Sequence, residues 1–150
     1  MSATSSPKRR GKTPGTYRLD DQVGFILRQV GQRHAVIFTA GIGVDITPTQ
    51  WAVLAKLSEV GPLSQNLLGR QTAMDAATIK GVVDRLSRRG LIETRQDQED
   101  GRRLLVTLTE AGCALVERTE PNALQVTEET LSPLTQDECA MLLALLRRLR

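Results

Sequence analysis

The segment that most constrains this chain runs from Met74 to Gly112, MDAATIKGVVDRLSRRGLIETRQDQEDGRRLLVTLTEAG. Its first part carries Ile79, Val82, Val83 and Leu86 at intervals of three and four, the spacing that lines one face of a helix. Asp75 is a natural cap before that helix. Gly90 is a natural stop after it, with Arg88 and Arg89 against the negative helix end. Immediately afterwards the hydrophobic period drops to two. LIETR and RLLVTLT read as short strands on either side of a tip crowded with acids and arginines. Thr109 then caps a further helix. A short amphipathic helix that runs straight into a charged hairpin leaves few folds open.

The remaining pattern is helical. Leu19 to about Thr39 places Val23, Ile26, Leu27, Val30, Ile37 and Phe38 on one face, with His34 on that face and Arg33 at its edge. AGIGVD breaks this helix. In TPTQWAVLAKL, Thr47 is the cap, Pro48 takes the first helical position and Gln50 completes a capping box. Gly61-Pro62 ends that helix, Ser64 caps QNLLGRQ, and TAM turns the chain toward Asp75. The helix from Thr109 extends to about Leu131, and Pro121 is expected to kink or split it. Thr135 with Glu138 makes a second capping box, and the last helix carries Met141, Leu142, Leu145, Leu146 and Leu149. The fold class is mainly α (α+β), and the scarcity of aromatics (3%) points to packing through aliphatic stripes.

Charge narrows the function classes. Net charge is +3, but residues 64–90 hold five bases against two acids, and residues 108–140 hold seven acids against one arginine. A polyanion responds to the nearby face rather than to the total. Residues 1–18 carry Lys8, Arg9, Arg10, Lys12 and Arg18 with no acid, in a Ser/Pro/Gly-rich setting that reads as a flexible basic arm. Residues 19–150 read as one domain. No apolar run approaches a membrane span, and no signal-peptide pattern is present, so neither a membrane partner nor secretion is expected. Cys113 and Cys139 are too few for a disulfide framework and suit a reducing cytoplasm. One histidine, no metal-ligand cluster, no phosphate-cradling glycine loop and no nucleophile motif argue against an enzyme, a metal site or a cofactor.

Two short helices joined by a tight turn and followed by a hairpin read as a winged helix-turn-helix, a design suited to double-stranded DNA. The second helix enters the major groove and presents its N-terminal side chains to base edges. Ala76, Ala77, Thr78 and Lys80 are small or polar and point away from the apolar stripe. Thr78 suits a thymine methyl or a base-edge acceptor, while Lys80 and Arg85 suit phosphate or guanine. Ser64, Gln65 and Thr72 flank the first helix of the pair and complete the expected DNA face. The alternative for each is a solvated helix surface. In the hairpin, Asp97 or Asp100 is placed to hold Arg102 as an ion pair across the Gly101 turn, leaving Arg103 or Arg95 for the DNA backbone; alternatively the tip arginines only confer solubility.

These segments resemble the MarR family of transcriptional regulators. The resemblance rests on TPTQWAVLAKL, MDAATIKGVVDRLSRRGLIETR and above all DQEDGRRLLVTLTEAG, which matches the family's wing pattern of Asp-x-x-Asp-x-Arg, a short strand and Leu-Thr-x-x-Gly. It covers about residues 20–149. It implies a homodimer, with a DNA-binding lobe at about 47–108 and dimerisation helices at about 19–40 and 109–149, reading a pseudo-palindromic site. Glu99 departs from the pattern: many members carry there an arginine that reaches into the minor groove.

The resemblance further implies an effector, commonly a small aromatic carboxylate held between the dimerisation helices and the winged lobe. Arg33, His34, Phe38 and Trp51 are the candidates for its pocket, with Tyr17 or Arg18 at the mouth. Within the family the chain is similar to repressors of aromatic-acid catabolism, above all the nicotinate-degradation type responding to 6-hydroxynicotinate, and also to those responding to hydroxycinnamoyl-CoA thioesters. Two further alternatives are a redox-sensing regulator and a helical adaptor that binds no DNA. For redox sensing, Cys113 lies in the first turn of its helix, where a thiolate is stabilised, while Cys139 reads as core.

Overall fold

A computed structural model describes residues 15–150; Lys8, Arg9, Arg10, Lys12 and most of the expected basic arm lie outside the described residues. The chain divides into two compact units, Met1–Gln32 and Arg33–Arg150. A 3-10 turn over Leu19–Asp21 precedes helix α1, Val23–Gly41, which crosses that division. Helices α2 (Pro48–Val60), α3 (Gln65–Gln71) and α4 (Ala76–Arg88) follow. Strands β1 (Ile92–Gln96) and β2 (Leu104–Leu108), then helices α5 (Glu110–Leu131) and α6 (Gln136–Arg147), complete the order. The architecture is mainly helical, with a two-strand wing after α4.

The caps read from sequence are present. Thr47 and Gln50 exchange hydrogen bonds in a capping box, and so do Thr135 and Glu138. Ser64, Asp75 and Thr109 each accept an amide from their helix's first turn. Two boundaries differ from expectation. Helix α1 begins at Val23 rather than Leu19, because Asp21 and Gln22 donate back three residues, to Arg18 and Leu19, and Gln22 is then extended. Helix α5 is not split at Pro121; it runs unbroken to Leu131. Pro121 and Glu117, whose carbonyl loses its helical partner, are both exposed, while buried Thr119 and Val126 anchor the helix on either side of Pro121.

The core of the winged lobe gathers residues from every element between α2 and α5. Val53, Leu54, Leu68, Ile79, Val82, Leu86, Ile92, Val106 and Val116 are all buried in one cluster. Each aliphatic side chain removed from water contributes roughly 1.5–3 kcal/mol. The wing pairs antiparallel with Ile92 opposite Leu108 and Gln96 opposite Leu104. Leu63 adds an isolated bridge to Val106, with both amides donating across it (3.1 and 2.7 Å), so the stretch after α2 is tied to the wing.

The base of the wing explains the LTEAG sequence. The amide of Thr109 donates to the Leu91 carbonyl and its hydroxyl to the Gly90 carbonyl (2.6 Å), while the same hydroxyl oxygen caps α5. Gly112 sits against this junction: a Cβ placed there runs into the Leu91 carbonyl oxygen. A second, smaller cluster joins Ile37, Phe38 and Ile42 to Val126 of α5. There the Asn122 amide donates to the Ile42 carbonyl (3.0 Å), beside Gly43 in its left-handed conformation.

Candidate nucleic-acid interface and effector cavity

Helices α3 and α4 form the close pair that the sequence predicts. Gly69 lets α3 approach, since a Cβ there comes within 3.1 Å of the Ile79 side chain and 3.2 Å of the Met74 carbonyl. Ala73 takes a left-handed turn conformation (φ 55°) between them. The Asp75 carboxylate accepts the Thr78 amide at 2.7 Å, and that bond holds its carboxyl below the ordinary value. Opposite the buried stripe of α4, Ala76, Ala77, Thr78, Lys80 and Arg85 are exposed together. Lys80 pairs with Asp84 at 2.9 Å, which lowers the Asp84 carboxyl. Arg85 lies back along the helix over Gly81. Both cations are therefore pre-positioned on the helix, and an exposed pair of this kind costs little to break.

The residues around α3 are placed less simply. Ser64 and Gln65 are half-buried; the Ser64 oxygen caps the helix but its proton remains free to donate. The Thr72 hydroxyl donates to the Leu68 carbonyl at 2.6 Å. That bond spends the hydroxyl proton within α3, at its closing end.

The wing corrects an expectation. Among the described residues, no ion pair joins Arg102 to Asp97 or Asp100. The acids instead accept backbone amides: Asp97 from Glu99 at 3.0 Å and Asp100 from Arg102 at 3.1 Å. The turn is closed by Asp97 N–H to the Arg103 carbonyl and Arg103 N–H to the Asp100 carbonyl. A carboxylate two residues from a free amide reaches it more readily than it captures a long guanidinium. Arg102 and Arg103 thus extend exposed from an organised tip, beside an equally exposed Glu99. Arg95 is paired with Glu93 two residues away on the same strand face. Gly101 lies in open space without a positive φ, so the turn does not demand glycine.

Two cavities share Trp51 in the second unit. One, of about 150 Å³, is lined by His34, Phe38, Pro48, Trp51, Ala123, Val126 and Thr127. The other, of about 450 Å³, lies between α2 and α5 with Glu59 and Glu120 at its edge. A half-open cleft of about 150 Å³ has room for one aromatic ring. His34 is half-buried, its ring 6.5 Å from that of Phe38, and its Nδ1 meets Thr130 Oγ1 at 2.9 Å. Three of the expected pocket residues, His34, Phe38 and Trp51, are therefore together. Arg33 is not with them: its guanidinium donates to the Thr130 carbonyl (2.6 Å) and the Glu129 carbonyl (3.1 Å). The last carbonyls of a helix attract a cation, and Arg33 is held there, sharing the Glu129 carbonyl with Ser132. Tyr17 and Arg18 lie in the first unit, both exposed, with Arg18 3.9 Å from Asp21. The wall from α5 was missed in sequence, although Ala123, Val126, Thr127 and Thr130 recur at helical spacing on one face. Of the cysteines, Cys113 is exposed and Cys139 half-buried.

Over residues 44–103, the helix-turn-helix and most of the wing, the chain matches the family model for the MarR family. It is 37% identical over 150 residues to the HTH-type transcriptional repressor NicR of Pseudomonas putida, covering 99% of this chain and 95% of that protein. This protein belongs to the MarR family. Its kind are DNA-binding transcriptional regulators rather than enzymes. Among solved MarR-type structures, Bordetella bronchiseptica BpsR, whose DNA binding is regulated by 6-hydroxynicotinic acid, is 40% identical and superposes with a TM-score of 0.85, over 90% of this chain and 97% of that one. A mutant MarR of E. coli complexed with operator DNA is 26% identical with a TM-score of 0.78, over 85% of this chain and 92% of that one. Among the described residues no helix is long and apolar enough to cross a membrane.

Proposed function

We propose that this MarR-family protein is a homodimeric repressor that a small aromatic acid releases from its operator. Two copies pair through the apolar faces of the chain-end helices. Each then lays α4 in the major groove of one half of a pseudo-palindromic site. Ser64, Gln65, Ala76, Ala77, Thr78, Lys80 and Arg85 face the groove and its phosphates. Arg102 and Arg103 steady the flanking backbone, with Arg95 available once it leaves Glu93. Because Glu99 is acidic, the wing holds the DNA more than it reads it.

The observation that carries the effector half is the ring-sized cavity of His34, Phe38 and Trp51 beside α2, the helix that leads into the DNA-binding pair. The likeness to BpsR supports 6-hydroxynicotinate, and a space for one ring favours a compact acid over a CoA thioester. The test is selection of duplexes from a random pool, followed by anisotropy titration with and without 6-hydroxynicotinate. A palindromic consensus, a steep loss of affinity with salt and weakening by the effector are expected. His34→Ala should keep DNA binding and lose the release. Absence of salt-dependent, sequence-selective binding to any duplex would instead mark an adaptor and overturn the proposal.

A further inference from the structure

The His34–Thr130 contact fixes more than the position of a ring. The Thr130 hydroxyl oxygen lies 2.8 Å from the Val126 carbonyl and 2.9 Å from His34 Nδ1. A hydroxyl has one proton. If it were given to His34, two lone-pair oxygens would face each other at 2.8 Å, which is unfavourable. The proton therefore goes to Val126, and the Thr130 oxygen must accept from His34. Nδ1 then carries the hydrogen of the neutral imidazole, and Nε2 is left as a bare acceptor. Among the described residues Nε2 has no hydrogen-bond partner, and it is not sealed from solvent. Arg33, adjacent in sequence, does not donate to Nε2, since its guanidinium donates to the carbonyls of Glu129 and Thr130.

We infer that Thr130 is a positioning residue that makes His34 Nε2 a hydrogen-bond acceptor in the effector cavity, so that the site selects aromatic acids whose ring presents a donor. This deepens the effector reading above and rests on it. A ring hydroxyl, or the ring N–H of a hydroxypyridine in its lactam form, satisfies Nε2. A bare pyridine nitrogen sets lone pair against lone pair. The site therefore tells 6-hydroxynicotinate from nicotinate although both carry the carboxylate, because an unmatched acceptor loses its hydrogen bond to water and gains nothing in return.

The chain holds one histidine and one tryptophan, so both halves are read without overlap. In the ligand-free full-length protein at about pH 8.5, where an ordinary imidazole is neutral, two-bond proton–nitrogen correlation should show Nδ1 protonated and Nε2 bare. Thr130→Val should shift His34 toward the Nε2–H form, and Thr130→Ser should restore the original pattern. A wild-type ring already in the Nε2–H form, or no change in Thr130→Val, overturns the positioning role. Trp51 fluorescence titration then compares 6-hydroxynicotinate with nicotinate. The wild type and Thr130→Ser should prefer the hydroxy acid by roughly tenfold or more, and Thr130→Val should lose most of that preference. A preference that survives the tautomer change overturns the selectivity claim. Failure of the wild type to bind either acid overturns the effector reading and the selectivity built on it, while the tautomer result stands or falls by the nitrogen spectrum.

Discussion

The winged lobe and the chain-end helices are written in the same aliphatic alphabet and use it in opposite ways. In the lobe, Val53, Leu54, Leu68 and Leu86 are completely buried. In α6 no residue is buried; Met141, Leu143, Leu145 and Leu146 stand exposed, as does Leu149 just beyond its end. The first unit likewise leaves Val23, Ile26, Leu27 and Val30 open. A lobe that satisfies its own apolar surface needs no partner. Helices that present an apolar stripe to water require one, since single exposed aliphatics are ordinary but whole uncovered stripes are not. The contrast supports the division of labour proposed for the protein: a self-sufficient reading head, and chain ends that pair with a second copy.

Two glycines, one at the base of the wing and one at its tip, offer the sharpest contrast within the lobe. Gly112→Ala forces a Cβ into the Leu91 carbonyl and should destabilise the protein by about 3 kcal/mol or more, read as a lowered urea midpoint. Gly101→Ala, in open space, should stay within about 0.5 kcal/mol of the parent in the same titration. Comparable cost from both would mean that the wing base is not a rigid junction.

The next pair sets one leucine against another. Leu54→Ala, at a completely buried site, should cost about 2–5 kcal/mol of folding stability at unchanged oligomeric state. Leu146→Asp, on the exposed stripe of α6, should instead weaken self-association, roughly tenfold or more in sedimentation equilibrium, with circular dichroism of the lobe preserved. A Leu146→Asp protein that remains fully dimeric would remove α6 from the proposed interface.

Within the reading head, Thr78 and Arg103 separate reading from holding. Thr78→Ala should lose about 1 kcal/mol of discrimination between the best duplex and its single-base variants. Arg103→Ala should weaken all duplexes alike and reduce the salt slope by about one. The reverse pattern would make the wing the reader.

The smallest effect concerns acid. Asp75 and Asp84 have folded-state carboxyls below their ordinary value of 3.8. Their contribution is therefore complete above the unfolded value and is lost as pH falls through the lowered folded value. Asp75→Asn keeps a capping side chain but cannot titrate. Between about pH 5 and 3 its urea midpoint should fall less steeply than the parent's; an identical slope would show that this cap does not contribute to acid sensitivity.

Much of this molecule was legible in sequence because its rules are local. Capping depends on a side chain and an amide three residues on, which is why Thr47, Ser64, Asp75, Thr109 and Thr135 all stand where pattern puts them. The period change after Gly90 announced the wing, and the apolar stripe of α4 announced which face remained outside. What only the tertiary structure decided were choices between partners distant in sequence or equally near in space. Arg33 turned from the cavity to carbonyls near the end of α5, almost a hundred positions away. Thr130 came from that same helix to hold His34, and the wing acids chose amides over Arg102. The Leu-Thr-x-x-Gly pattern acquired its reason only when the Leu91 carbonyl was found against Gly112. A sequence states which groups can donate, accept or fill space. Which of several eligible partners is met depends on where the backbone carries each group, and that is settled by the packing of the whole lobe.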